Sequence, residues 1–80
     1  MRAKVRVGAI IPVTPGETEA LKLYGVAKNS AYPEDGSDEN NTFAKFSPSI
    51  CVDMFIANPA LVGAFEVGET FYIDFIPAPK

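Results

Sequence analysis

An all-β fold is predicted for this chain: a small five-stranded barrel or sandwich with one short helix. Three observations point there. Apolar residues recur with period two along most of the sequence, the signature of strands with one buried face. Turn formers such as Pro15-Gly16, Asn58-Pro59 and Val67-Gly68 divide those runs. Finally, 80 residues hold a single domain, 1–80, in which several short strands must share one core.

The first strand spans Ala3 to Val13. Val5, Val7, Ala9, Ile11 and Val13 alternate with Lys4, Arg6, Gly8, Ile10 and Pro12. The second set turns apolar near Ile10, so burial on both faces is expected at that end. Thr14-Pro15-Gly16-Glu17-Thr18 follows; Pro then Gly suits a type II turn. Glu19 to Lys28 alternates again, with Leu21, Leu23 and Gly25 against Ala20, Lys22, Tyr24 and Val26. The two runs read as a hairpin. The competing reading is an α+β sheet with a helix at 17–24, since Glu, Ala, Leu and Lys favour helix.

Asn29 to Asn41 carries four acids, no base and many turn formers, and is expected to be a long surface loop. Such a loop needs something to hold it, a partner chain being one candidate. Thr42 to Phe46 is a short strand candidate stopped by Ser47-Pro48. Ser49 to Ala57 alternates most clearly, with Ile50, Val52, Met54 and Ile56 opposite Cys51, Asp53 and Phe55. Asn58 to Phe65 predicts the short helix: Asn58 caps, Pro59 suits the first turn, and Gly63 limits its length. Glu66-Val67-Gly68-Glu69 is a turn. Thr70 to Ile76 is the last strand, ended by Pro77.

Composition excludes whole classes of chemistry. With no His and one Cys, there is no Ser-His-Asp triad, Cys-His dyad, HExxH zinc site or CxxC knuckle. Non-enzymatic action without a cofactor or metal is therefore expected. The net charge is −3 and the pI about 4.7, which argues against a general nucleic-acid binder. No apolar run approaches the ~20 residues that span a bilayer, and no signal-peptide pattern is seen. Ordering costs of roughly 1.5 kcal/mol per residue nearly cancel burial in so small a domain. Self-association into a homo-oligomer is the available supplement.

Candidate site residues each have a plain structural reading. Lys4, Arg6, Lys22, Lys28 and Lys45 could form a basic strip that binds a small anion or an acidic partner, or an ordinary solvated face. Tyr24, Tyr32 and Tyr72, with polar tips, suit an interface. Asp53 and Asp74 would share a site only if their strands were neighbours; otherwise they face solvent or pair with Lys4 or Arg6. Cys51 has no His to activate it and reads as a small core residue. The Phe43, Phe46, Phe55, Phe65, Phe71, Tyr72 and Phe75 set could stack bases, but also suffices to fill a small β core. Glu34, Asp35, Asp38 and Glu39 lack the order of a calcium loop. Residues 1–30 carry five bases and two acids, and residues 31–80 two bases and eight acids. Pairing between the two halves within one monomer is the simplest use of that split; contact between copies is the other.

The C-terminal half resembles a family of small bacteriophage-encoded β proteins of mostly unknown function. The likeness lies in Phe43-Ala44-Lys45-Phe46-Ser47-Pro48-Ser49, Asn58-Pro59-Ala60, and Phe65-Glu66-Val67-Gly68-Glu69-Thr70-Phe71-Tyr72-Ile73-Asp74-Phe75-Ile76-Pro77-Ala78. Phe71 stands where the family pattern has a first Tyr, and Ser49-Ile50 where it has Ser-Gly. The resemblance implies a viral origin, residence in host cytoplasm or virion, and a small β fold, but no activity. A virion structural, decoration or assembly component is the first expectation. An anti-defence protein that sequesters a nucleotide signal or inhibits a host protein is the second. The partner-binding residues expected are Lys4, Arg6, Lys22, Tyr24, Lys45 and Tyr72.

Overall fold

The computed structural model describes residues 1–80. It has four strands: β1 (Arg2–Thr14), β2 (Thr18–Gly25), β3 (Cys51–Ile56) and β4 (Thr70–Asp74). They form one antiparallel sheet in the order β3-β2-β1-β4. β1 and β2 make the predicted hairpin. Gly16 sits at φ 80°, and the Glu17 amide donates to the Thr14 carbonyl at 2.9 Å, closing a four-residue turn. The helical alternative for 17–24 is not formed.

The alternation along β1 is interrupted. Val7 lies opposite Leu23, but Ala9 lies opposite Lys22, so Gly8 is the extra residue of a β-bulge. Side chains therefore exchange faces beyond it. Ile10 joins the core beside Leu21, while Ala9 and Ile11 turn to the other side. Strict parity had grouped Ala9 and Ile11 with Val5 and Val7; the bulge reverses that assignment.

The sheet is open, neither a barrel nor a sandwich. Closure requires the edge strands to pair, and β3 and β4 stay at opposite edges with β2 and β1 between them. The fifth strand is absent: residues 42–46 form turns and bends, and Phe46 has φ 60°, a left-handed conformation outside the extended region of a regular strand. The Phe46 amide donates to Gly36 at 2.8 Å, and its ring packs on Tyr32 with centroids 5.7 Å apart. The predicted Asn58–Phe65 helix is a single 3-10 turn, Pro59–Leu61. Asn58 caps it by accepting from the Ala60 amide at 3.0 Å. Gly63, at φ 84°, then turns the chain out of helical geometry.

One face of the sheet is covered. Val5, Val7, Leu21, Leu23 and Ile56 form the buried cluster. Val62 and Phe65 from the segment after β3 pack on it with Ile50, Phe71 and Ile73. Phe65 meets Phe71 edge-on at 5.4 Å.

The acidic loop is held within the chain. Asn41 is fully buried, and its Oδ1 accepts from the Lys4 amide at 2.9 Å. Its Nδ2 donates to the Val26 carbonyl at 2.8 Å and to Asp38 Oδ2 at 3.1 Å. Asp38 also accepts from the Asn40 amide at 2.9 Å and the Lys28 amide at 3.3 Å. Burial alone would raise the Asp38 pKa. The donors from Asn41, Asn40 and Lys28 outweigh it and hold the carboxyl below its usual range.

The outcome is a slab of 47 × 33 × 15 Å. Its radius of gyration is 14.8 Å, where a compact chain of this length would give about 12 Å.

Candidate functional site

Opposite the core lies an uncovered face, and the register decides what stands on it. Arg2, Lys4 and Arg6 are the alternate residues of β1 that point away from Ala3, Val5 and Val7. Arg6 is opposite Tyr24 on one side and Thr70 on the other. Lys4 is opposite Tyr72, Arg2 opposite Asp74, and Lys22 opposite Asp53. The sheet thus brings five of the six expected residues together: Lys4, Arg6, Lys22, Tyr24 and Tyr72. The sixth, Lys45, stands apart in the loop. There it lines a cleft of about 310 Å³ with Ser37, Asp38, Glu39, Thr42 and Ala44. Lys28 also leaves the strip; its Nζ reaches Glu39 at 3.5 Å and lies 5.9 Å from the Tyr32 ring centroid.

The acids are divided between the edges. Asp53 in β3 and Asp74 in β4 are separated by the width of the sheet, so they share no site. Their partners are Lys22 and Arg2 rather than Lys4 and Arg6. Arg2 Nε donates to Asp74 Oδ1 at 2.7 Å, and Lys22 Nζ to Asp53 Oδ1 at 2.9 Å. Hydrogen bonding to Arg2 holds Asp74 low and, in return, raises Arg2; the bond to Asp53 raises Lys22. Both pairs are exposed, where such bonds contribute little stability. All three ion pairs join the basic first part of the chain to the acidic second. Lys4 and Arg6 take part in none of them.

The two tyrosines are placed by their neighbours. The Tyr24 ring lies over Gly8, where a Cβ would fall 2.5 Å from it. Arg2 stacks on Tyr72 with its guanidinium carbon 4.6 Å from the ring centroid. The Tyr72 hydroxyl donates to Asn40 Oδ1 at 2.9 Å. Gly8, Arg2 and Asn40 therefore belong to the face, although sequence reasoning did not single them out. Arg2 was open to view, since it shares the parity of Lys4 and Arg6; Asn40 arrives from the loop and had no such signal.

Cys51 is exposed on this face at the β3 edge, not packed in the core as its residue type had implied. Nearby, Ala20, Leu21, Lys22, Asp53, Met54 and Phe55 line a shallow cleft of about 220 Å³. Phe55 there is 58% exposed.

Comparison with protein-family models, curated proteins and solved structures finds no match to the chain. No helix is long and apolar enough to cross a membrane.

Proposed function

We propose that this chain is a non-enzymatic binding protein that docks the open face of its sheet onto an acidic protein surface. The carrying observation is the pair Lys4 and Arg6. They project side by side from the central strand, without a carboxylate partner, between Tyr24 and Tyr72. Tyrosine and arginine are the residue types that anchor interfaces, and unpaired cations on a rigid sheet select an anionic counterpart. The likeness of the C-terminal half to small phage proteins makes a virion or assembly component the natural setting.

Sequestration of a nucleotide signal is the second reading, and the same two cations favour it. The shape of the face does not: neither cleft of the molecule includes Lys4 or Arg6, and small ligands are usually enclosed in a pocket. The test is co-purification from phage-infected cells followed by native mass spectrometry. The docking reading expects a bound protein that is lost in Lys4→Ala/Arg6→Ala. A free chain carrying a small anion would replace it with the second reading, and a free bare chain would remove both.

A further inference from the structure

We infer that β3 pairs antiparallel with β3 of a second copy, across a two-fold axis at Met54, joining two sheets into one. This rests on the sheet edge and not on the docking role of the open face.

The edge is unsatisfied. The Gly25 amide donates to the Ile50 carbonyl at 2.9 Å, and Val52, Met54 and Ile56 lie opposite Leu23, Leu21 and Glu19. Alternation in an antiparallel ladder then directs the main chain of Cys51, Asp53 and Phe55 away from β2. No backbone bond from another segment meets those three residues. The strand also lacks the usual protection: Cys51–Ile56 contains one charge, no Lys, no Pro and no bulge. β4 is the poorer template. It is shorter, and its Tyr72 and Asp74 are already tied to Asn40 and Arg2.

Parity and charge select the register. Keeping each face continuous requires residues of equal parity opposite one another, so the axis passes through a residue. An axis at Asp53 would set two carboxylates together, which is destabilising. An axis at Val52 or at Phe55 would pair only three residues of β3 with its copy. The axis at Met54 sets Val52 opposite Ile56 of the second copy on the core side. On the open side it sets Asp53 opposite Phe55, in the hydrogen-bonding position. Phe55 of each copy then reaches the cleft beside Lys22 and Asp53 of the other.

The surface supports an occupant of this kind. The accessible area is 5507 Å², where a compact monomer of this mass exposes about 4,700 Å². The excess belongs to the open slab as a whole, of which the β3 edge is one part. Met54, 44% exposed, and Phe55 are the apolar groups that pairing would cover. The open face is a worse place for a second copy, because two-fold contact there would gather the unpaired Lys4 and Arg6 of both chains.

The experiment uses the full chain. Sedimentation equilibrium at tens of micromolar should show a dimer, and Met54→Lys should give a folded monomer by far-UV circular dichroism. In a Cys51→Ser background, Met54→Cys should form a disulfide-linked dimer under mild oxidation. A non-hydrogen-bonded pair on the axis has a Cα separation of about 4.5 Å, within disulfide range. Asp53→Cys, off the axis, should cross-link several-fold less. A monomeric wild type, a dimer that survives Met54→Lys, or cross-linking that favours position 53 would overturn the inference. Lys4→Ala/Arg6→Ala should leave the dimer intact, so failure here is separable from failure of the docking reading.

Discussion

Asn41 shows how much a single side chain can organise. Its amide joins three separate parts of the chain: the start of β1 through Lys4, the end of β2 through Val26, and the acidic loop through Asp38. All of this occurs at full burial, where an unmade hydrogen bond leaves a desolvated donor or acceptor behind. Asn41→Ala is expected to cost about 2–3 kcal/mol, read as a lower urea midpoint. Asp38 adds a pH dependence. Its folded pKa lies below the ordinary 3.8, so its stabilising effect is complete above the unfolded value. The effect is lost as pH falls through the lower folded value. Asp35 and Asp74 are lowered in the same sense, Asp35 by the Ser37 amide and Asp74 by Arg2. Stability should therefore fall on acidification below about pH 4. Asp38→Asn should make that decline shallower, while lowering stability at neutral pH. Urea titrations of both proteins at a series of pH values check it.

At the scale of the element, period two was the reliable guide. β3 and β4 lie within the runs it marked and β2 begins one residue before its run, at Thr18; the register keeps the two faces of β3 apart, although Met54 on the core side is 44% exposed. It failed where the backbone left regular geometry. Gly8 was visible in the sequence, but a glycine in a strand does not announce whether it bulges; the close approach of Tyr24 is a tertiary fact. Thr42–Phe46 looked like a strand because Phe43 and Phe46 are strand formers, yet packing on Tyr32 and Gly36 holds Phe46 at positive φ. The site was legible to the same extent. Lys4, Arg6, Lys22, Tyr24 and Tyr72 come together because parity places them on one side of their strands. Lys45 does not join them because its strand never forms. The bulge carries its own prediction. Gly8→Ala places a methyl group 2.5 Å from the Tyr24 ring, and the ring, not the ladder, should give way. Changed Tyr24 ring resonances with little loss of amide dispersion would bear this out, and partner docking should weaken with the displaced ring.

For the whole molecule, alternation states that each strand has two faces but not what covers them. A barrel, a sandwich and an open sheet all satisfy the same pattern; they differ in whether the edges meet and whether a second layer exists. Here the second layer is thin, made of one 3-10 turn and the residues around it, and the fully buried cluster has five members. Stability on the order of 0.05–0.15 kcal/mol per residue gives a chain of this length about 4–12 kcal/mol. A single core truncation is a large part of that. Leu21 is 1% exposed and sits at the centre of the sheet, opposite Ile10 on β1 and Met54 on β3. Leu21→Ala should cost about 2–5 kcal/mol through lost transfer energy and the cavity left behind. Where the unmodified chain has stability at the lower end of that range, the Leu21→Ala variant should be partly unfolded at physiological temperature. Leu61→Ala, at a side chain 45% exposed in the covering turn, should shift the urea midpoint only slightly. The contrast between these two leucines follows their burial: Leu21 belongs to the core cluster, and Leu61 is not among the residues packed on it. Near-equal losses would mean that the segment after β3 carries as much of the core as the strands do.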